Sequence, residues 1–318
     1  MRRPRTSLTL CAALAAALGI CGCAATGFQA VPPTMSAAEA GLQPEYRIFY
    51  DALEEYGDWT LIEPYGYVFR PRVSFVAWQP YQEGFWVPSD VWGWVWISSE
   101  PFGWATYHYG TWMFDRFQGW VWLPGLDWGP AWVSWQVADQ YAGWAPLGPR
   151  GSQLGDVPGG GYTYAPLGQL ASTNLKSQIV SADQIAREIA HARPANNSVV
   201  KAGVTINRGP KFEMVERAAG PLARVKLAEI APGAPKRGAG TSAAAAPTMS
   251  IEEQIEATRR AAEDATRQAV TIAETGAAPP ARLSIVRPVL VSAPAAKAPT
   301  AESKAPGHAK PAAADTTR

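Results

Sequence analysis

The chain offers few residues that could carry acid–base, nucleophilic or metal chemistry. Its 318 residues include three histidines, His108, His191 and His308, and no two of them have the spacing of a zinc site. The sequence contains no G-x-S-x-G elbow, no phosphate-binding loop and no dinucleotide-binding fingerprint. We therefore predict no catalytic residue, no metal and no cofactor, and a protein that is not an enzyme.

Acidic residues near the tryptophans leave one enzymatic alternative open. They are Asp90, Glu100, Asp115, Asp127 and Asp139. Two carboxylates beside an aromatic groove would suit glycoside hydrolysis. Acids in turns usually only solvate the turn, so a glycoside hydrolase is kept as a remote alternative.

The near-neutral charge excludes one class of partner. Lys and Arg number 28 and Asp and Glu number 27, a formal net charge of +1. A broad nucleic-acid-binding surface needs a basic excess, so we expect no nucleic acid as a partner.

The N-terminal segment has the layout of an export signal. Residues 1–5 are basic, and Leu8 to Ile20 is an apolar run that is too short to span a bilayer permanently. The run ends in Ile20-Cys21-Gly22-Cys23, which resembles the lipobox of bacterial lipoproteins. We therefore predict a lipoprotein signal peptide over residues 1–22.

The lipobox resemblance implies cleavage after Gly22 and a lipid on Cys23. Cys23 would then be the single cysteine of the mature chain, which excludes an internal disulfide. The lipid would anchor the chain stably to a membrane. Ala24 follows, and Asp at this place would imply retention at the inner membrane. We expect an outer membrane lipoprotein that faces the periplasm or the cell surface; a soluble exported protein with Cys23 in a discarded signal is the alternative.

After the signal, composition divides the chain into five regions. They are a tether at 23–44, an N-terminal helix with a Trp-rich β repeat domain at 45–149, a Gly-rich linker at 150–161, a small α+β subdomain at 162–230, and a low-complexity tail at 231–318 with a helix at 250–275.

The Trp-rich region repeats. All 14 tryptophans lie between Trp59 and Trp144. The unit is Gly-x-Trp, a gap, then Gly-aromatic-Val-aromatic, and its three copies begin at Gly57, Gly84 and Gly110. Internal repeats of this length indicate repeated supersecondary units.

Each unit is predicted to form a β-hairpin. Aromatic and β-branched residues favour strands, and turn formers fill each gap. Gly93 and Gly119 precede second strands, where a turn or bulge would need positive φ or a close backbone approach. The predicted fold class is mainly β: an antiparallel β-hairpin repeat domain of six to eight strands, then a small α+β subdomain and a disordered Ala/Pro-rich tail with one helix.

Local signals predict elements outside the repeat. An aromatic stripe predicts a helix at 45–56, and capping boxes predict helices at 181–193 and 250–275. Short strands are predicted at 199–200, 204–206, 212–215 and 222–230. Most of the chain from Ala231 onward cannot bury a core, so we expect a protease-resistant core of roughly 45 to 230.

A known bacterial domain is similar to this region over roughly residues 46–148. The matching runs include EPFGWATYHYGTW at 100–112, GWVWLPG at 119–125 and GWAPL at 143–147. The region resembles the Trp-rich domain of unknown function of exported Gram-negative proteins, which sometimes lies beside FecR-like domains. Tyr67 and Phe69 depart from the pattern, since Trp stands there in later units. The family has no assigned activity, so the resemblance implies no functional residues.

Two uses of the aromatic residues stay open. A domain without a disulfide needs large apolar side chains in its core. Trp and Tyr faces also stack on sugar rings, beside carboxylates that accept hydrogen bonds from sugar hydroxyls. The candidate ligand-binding residues of such an exposed strip are Tyr67, Phe69, Trp94, Trp96, Trp120, Trp122, Asp90 and Asp115.

The sequence thus predicts a lipid-anchored, non-enzymatic cell-envelope protein. Its partners would be the membrane, through the lipid on Cys23, and a glycan (peptidoglycan or exopolysaccharide) or an envelope protein. The alternative is a purely structural envelope assembly module whose tryptophans are core.

Overall fold

A computed structural model describes residues 36–74, 78–152, 157, 161–201, 203–232, 249–288 and 290. The predicted signal peptide and Cys23 lie outside these residues, as do 233–248 and 291–318 of the predicted tail. Among the described helices, none has the length and apolar character needed to cross a membrane.

The helices of the described residues are mostly short. They are α1 (Ala37–Gly41), α2 (Arg47–Leu53), α3 (Gly103–Thr106), α4 (Ala186–Ile189), α5 (Phe212–Ala219) and α6 (Ile251–Thr275). Single turns of 3-10 helix lie at Pro44–Tyr46, Pro149–Gly151, Leu167–Gln169 and Leu175–Gln178.

The Trp-rich region consists mostly of β-strands, which confirms the predicted mainly β fold. The strands of the described residues are β1 (Gly57–Ile62), β2 (Gly66–Pro71), β3 (Gly84–Ser89), β4 (Gly93–Ser98), β5 (Thr111–Asp115), β6 (Gly119–Leu123), β7 (Val133–Val137), β8 (Tyr141–Pro146), β9 (Thr163–Pro166), β10 (Arg193–Pro194), β11 (Ser198–Lys201), β12 (Val204–Asn207), β13 (Lys226–Ile230) and β14 (Arg282–Val286).

The three repeats are confirmed as antiparallel hairpins: β1–β2, β3–β4 and β5–β6. Each second strand begins with a glycine of positive φ, +82° at Gly66, +79° at Gly93 and +75° at Gly119. Glycine enters this backbone region without the steric cost of a Cβ. The glycine that recurs in the sequence repeat is therefore explained by the turn geometry.

An aromatic pair lies at the same place in four hairpins, directly opposed across the two strands. The pairs are Trp59 with Phe69, Trp86 with Trp96, Trp112 with Trp122 and Trp135 with Trp144. The fourth pair belongs to β7–β8, a hairpin that the repeat did not reveal because its second strand begins with Tyr141 in place of glycine. Opposed side chains are the basic stabilising unit of a sheet.

The hairpins assemble around these pairs. One sheet has the strand order β1-β2-β6-β5 and another the order β10-β7-β8-β9, while β3–β4 forms a separate ribbon. The ring centroids of Trp86 and Trp135 lie 4.5 Å apart, which joins the ribbon to the second sheet. In the first sheet, Phe69 faces Trp122 across β2 and β6. The aromatic pairs therefore meet in one core.

The N-terminal helix predicted at 45–56 is confirmed as the turn Pro44–Tyr46 followed by α2. Its Phe49 and Leu53 are fully buried. The Phe49 ring packs edge-on against Trp122, with 5.5 Å between the centroids. The aromatic stripe of this helix thus packs on the domain that follows it.

A β–α–β unit follows from residue 226 onward. Strands β13 and β14 pair in parallel, which requires a crossover connection, and α6 lies within it. The helix starts at the predicted capping box, in which Ser250 and Glu253 each bond the other's backbone N–H. Its Ile255, Ala262 and Ile272 are buried in the core shared with the tryptophans. The predicted end of packed structure near residue 230 therefore has to be moved to about residue 288.

The region 162–230 differs in detail from its prediction. Strands β11 and β12 are confirmed. Residues 212–215, predicted as a strand, are instead the start of α5, because Phe212 and Val215 recur at helical spacing. The predicted strand 222–230 begins only at Lys226. The capping hydrogen bonds of Ser181 and Gln184 form, but the α-helix after them is only Ala186–Ile189.

Candidate functional site

The aromatic strip expected at the surface is part of the core. Phe69, Trp94, Trp96 and Trp122 are at most 1% exposed and Trp120 is 7% exposed. Tyr67 is half-buried. The expectation that these residues form an exposed aromatic row is therefore wrong, and the reading of the tryptophans as core is the one that the packing favours.

The two predicted acids lie at turns. Asp115 is half-buried, and its Oδ1 accepts hydrogen bonds of 2.8 Å from the backbone N–H groups of Phe117 and Gln118, so it caps the β5–β6 turn. Asp90 is exposed at the β3–β4 turn, 3.5 Å from Arg224 Nε. Neither acid lies beside an exposed aromatic row.

Strand β4 shows why alternation did not separate a core face from a surface face. Its residues from Gly93 to Ile97 are all buried. Trp96 packs on Trp86, with 5.0 Å between the ring centroids. On the aliphatic side, Ile97 lies with Ala265 of α6 and Ile285 of β14 around a cavity of only about 40 Å³. The β–α–β unit thus covers the face that the hairpin alone would leave open.

A buried indole N–H usually finds a hydrogen-bond partner, and six tryptophans donate from theirs. Five donate to main-chain carbonyls and Trp78 donates to a carboxylate. The bonds are Trp78–Glu100, Trp94–Pro210, Trp112–Thr106, Trp122–Tyr109, Trp132–His108 and Trp144–Tyr81, at 2.6–3.0 Å. Within the described residues, the buried indole N–H groups of Trp59, Trp86, Trp96 and Trp128 have no partner.

Glu100 is a buried carboxyl inside this aromatic core. It accepts hydrogen bonds from Trp78 Nε1 at 2.6 Å and from the Tyr107 hydroxyl. Burial raises the pKa of Glu100 to about 8, although both hydrogen bonds oppose the shift. Burial also raises the pKa of Tyr107, and the Glu100 charge adds to that shift. The bonds to Trp78 and Tyr107 identify Glu100 as a structural acceptor.

His108 is buried as well. Its Nδ1 lies 2.9 Å from the Gly129 carbonyl, and its ring stacks on Trp128 with 5.5 Å between the centroids. Burial lowers the pKa of His108 to about 4, the main-chain hydrogen bond to Gly129 opposing the shift. The ring is therefore neutral near pH 7 and packs as an aromatic group. In the described residues no group of three or more His, Cys, Asp or Glu side chains could hold a metal ion.

The strongest candidate for a ligand site is a cleft of about 400 Å³ that we call the aromatic cleft. The residues that line it include Trp92, Tyr109, Trp128, Lys201, Glu229 and Arg287. Leu126, Asp127, Val204 and Ile206 complete the walls, with Ala231, Pro288 and Leu290 at one side. These residues come from six separate parts of the chain, so the cleft exists only in the folded protein.

The elements that position the cleft are the β3–β4 turn, the segment between α3 and β5, the loop after β6, the β11–β12 hairpin and the β13–β14 pair. Trp92 lies in the β3–β4 turn and meets Trp128 edge-to-face, with centroids 4.9 Å apart. Glu229 lies on β13 and Arg287 directly follows the neighbouring strand β14, and Arg287 Nη1 lies 2.6 Å from Glu229 Oε1. The β–α–β unit therefore supplies the ion pair of the site.

Cations cover the aromatic rings of the cleft. Lys201 Nζ lies 4.3 Å from the Trp92 ring centroid, and Arg287 Cζ lies 4.8 Å from that of Trp128. Tyr109 is almost fully buried, and burial raises its pKa to about 12 while Arg287 opposes the shift. Trp128 is 7% exposed, whereas Trp92 is half-buried. Of the two rings, Trp92 is therefore the one more accessible to a ligand.

Sequence reasoning missed this cleft because it followed the repeat. Trp92 and Trp128 stand at positions where the neighbouring units have Gln118 and Phe102. Tryptophans outside the repeated positions were the available signal. Lys201, Glu229 and Arg287 had no signal, since only the tertiary fold brings them to the tryptophans.

Part of the chain matches a known protein family. Residues 50–151 match a family of unknown function, DUF6600. The match contains the four aromatic hairpins, together with Trp92, Tyr109 and Trp128 of the cleft. Lys201, Glu229 and Arg287 lie beyond it. No curated protein and no solved structure matches the chain.

The cleft combines a reachable indole face with side chains of both charges. An indole face offers stacking area to a flat or ring-shaped apolar surface, and carboxylate and guanidinium groups accept and donate several hydrogen bonds. Such a site can bind a molecule that has both apolar ring faces and many hydroxyls.

Proposed function

We propose that this is a lipid-anchored, non-enzymatic protein of the bacterial cell envelope that binds glycan in the aromatic cleft. The observation that carries the proposal is the placement of half-buried Trp92 beside the Arg287–Glu229 pair. Sugar rings expose axial C–H groups that stack on an indole, and their hydroxyls hydrogen-bond to carboxylate and guanidinium groups. Peptidoglycan and exopolysaccharide are the envelope glycans of this chemistry.

The proposed location rests on the sequence. The apolar run and the lipobox-like Ile20-Cys21-Gly22-Cys23 support a lipid on Cys23, and Ala24 supports the outer membrane. Several acyl chains hold a protein stably in a bilayer, at about 0.8 kcal/mol for each buried CH₂ group. The folded part would then be tethered at the envelope, facing the periplasm or the surface.

The non-enzymatic part of the proposal is supported by the state of the titratable groups. Glu100 and His108, whose pKa values burial shifts strongly, are 8% and 6% exposed inside the aromatic core. A general acid or base must reach its substrate within hydrogen-bond distance. Glycoside hydrolysis by these groups would need an opening of the core.

A second candidate is a structural assembly module of the envelope. The observation that favours it is the burial of the aromatic pairs, which makes the tryptophans a folding device. Exposed Val200 and Leu126 beside the cleft would suit a protein partner. In that case the aromatic cleft would bind no sugar.

The test is calorimetric titration with soluble peptidoglycan fragments and with chitohexaose. We expect binding that Trp92→Ala weakens by about 1–3 kcal/mol, the scale of base stacking on an exposed aromatic. Phe117→Ala is the matched control, because Phe117 is 73% exposed at the β5–β6 turn, outside the cleft. Failure of both glycans to bind, or equal losses in the two variants, would refute glycan binding in this cleft.

A further inference from the structure

A second cleft, of about 550 Å³, is formed in part by the β3–β4 turn and the β11–β12 hairpin, which also contribute to the aromatic cleft. Its charged lining is Asp90, Arg208, Lys211, Glu213 and Arg224, with Asn197 and Phe212 beside them, and we call it the charged cleft. Asp90 and Trp92 belong to one turn, and each contributes to a different cleft. The β11–β12 hairpin is shared in the same way, with Asn197 and Arg208 at its base on one side and Lys201 on the other.

The cations of the charged cleft differ in how far they are neutralised. Arg224 is engaged: its Nη2 lies 2.9 Å from Glu216 Oε1, its Nε lies 3.5 Å from Asp90 Oδ1, and its Cζ lies 3.9 Å from the Phe212 ring centroid. Arg208 donates to the main-chain carbonyl of Asp90 at 2.7 Å. Across the described residues neither Arg208 nor Lys211 forms an ion pair with a carboxylate. Arg208 and Lys211 therefore face this cleft without an ion pair, and the lining as a whole has three cations against the two acids Asp90 and Glu213.

The fold holds these cations in place. The Arg208 backbone is pressed against the β3–β4 turn, where a Cβ on Gly93 would meet the Arg208 carbonyl oxygen at 2.5 Å. Lys211 occupies the N-cap position of α5, where no side chain makes a capping hydrogen bond. The helix terminus adds partial positive charge to the two side chains. Guanidinium groups bind carboxylates in a planar, two-point geometry.

We infer that the charged cleft is an anion subsite of the same binding surface, and that the ligand is a glycan that carries carboxylate groups. This inference rests on the proposed function, since it assigns the ring-stacking part of the ligand to the aromatic cleft. A sugar ring stacks at Trp92, and a carboxylate further along the same chain lies against Arg208 and Lys211. The acids Asp90 and Glu213 of the same cleft oppose the carboxylate and weaken binding.

The test compares three probes of equal length: hexagalacturonate, neutral chitohexaose and hexaglutamate. Hexagalacturonate is expected to bind most tightly, and its advantage over chitohexaose should shrink at high salt, because exposed charges are screened. Lys211→Gln should weaken hexagalacturonate binding by about threefold, the effect of one unit charge at roughly 6 Å in water, and leave chitohexaose binding unchanged. Lys226→Gln is the control, since Lys226 is exposed and lines neither cleft.

Asp90→Asn gives a test that loss of folding cannot imitate. Removal of this exposed opposing charge should tighten hexagalacturonate binding by about threefold. Equal affinity for hexagalacturonate and chitohexaose, with no effect of Lys211→Gln or Asp90→Asn, would overturn the anion subsite and leave glycan binding intact. Hexaglutamate binding as tight as hexagalacturonate would overturn the assignment to a glycan. Failure of both sugars to bind would overturn the proposed function together with this inference.

Discussion

Glu100 and His108 place two titratable groups of opposite behaviour inside one aromatic core. Glu100 has its pKa raised to about 8 by burial, and His108 has its pKa lowered to about 4 by burial. Each group is therefore held in its neutral form at neutral pH. The free energy of unfolding must depend on pH wherever the folded and unfolded chains bind different numbers of protons.

Below pH 6.5, Glu100 and His108 change the free energy of unfolding in opposite directions as the pH rises. There the unfolded chain releases the Glu100 proton and the folded chain keeps it, so stability falls as pH rises above the ordinary carboxyl value of 4.5. The unfolded chain also protonates His108 between pH 4 and pH 6.5 while the folded chain does not, so this contribution rises with pH. Between pH 6.5 and about pH 8, only the Glu100 contribution to the free energy of unfolding still changes with pH.

We therefore predict that the protein loses stability between pH 6.5 and pH 8, by at most about 1.4 kcal/mol for each pH unit. Glu100→Gln should flatten this part of the curve, since the amide does not titrate. His108→Gln should keep the fall. Urea unfolding at pH 6.5 and pH 8 measures the change in the free energy of unfolding. A wild-type protein that is equally stable at both pH values would contradict the raised pKa of Glu100.

At the scale of elements, the hairpin with one opposed aromatic pair is the building block of the domain. Its turn glycine and its aromatic alternation are local properties, and the sequence predicts them correctly at Gly93 and Gly119. The burial of a strand face, in contrast, depends on tertiary packing and is not a local property. Val95 and Trp96 point to opposite faces, yet both are fully buried because the β–α–β unit covers one face and β7–β8 covers the other.

We predict that Trp86→Ala and Trp122→Ala each destabilise the protein by about 3–5 kcal/mol, the usual cost of deleting a buried aromatic ring. Phe117→Ala, at an exposed turn position, should change stability by no more than about 0.5 kcal/mol. Urea melts of the three variants provide the comparison. Tryptophan variants as stable as Phe117→Ala would show that the pairs are not the core.

At the scale of the whole molecule, the packed structure extends well beyond the matched residues 50–151. Helix α6 looked weak because its stripe is mostly alanine, and alanine gives little hydrophobic signal. Small side chains instead allow a close approach: Ala262 and Ala269 are buried, and Arg259 reaches the main-chain carbonyl of Asp51 on α2. Strand β14 is five residues long and pairs with a strand more than 50 positions earlier, which no local pattern predicts.

We predict that Ala269→Glu in the full chain strongly lowers the melting temperature, because Ala269 is 1% exposed and the new carboxylate would be buried without a partner. Thr271→Glu, two residues away on the exposed side of the same helix, is the matched control. Thermal unfolding of the two variants gives the melting temperatures to be compared. Equal melting temperatures would mean that α6 does not pack on the domain in solution.

The anchor is a property of the whole molecule as well. Cys23→Ala is predicted to release the exported protein from membranes, since the lipid on Cys23 is the proposed attachment. Fractionation of cells that express the two forms measures this. A Cys23→Ala protein that is exported and still sediments with membranes would contradict the lipoprotein assignment.

The distinction between core tryptophans and a separate binding cleft is the central claim, and the indole N–H signals in a ¹⁵N-correlated NMR spectrum test it most directly. Titration with chitohexaose should shift the signals of Trp92 and Trp128, assigned through single Trp→Phe variants. The signals of Trp86, Trp96, Trp122 and Trp144 should stay in place, because these rings are buried in the core. Large shifts of Trp94, Trp96, Trp120 and Trp122, with Trp92 unaffected, would contradict the account.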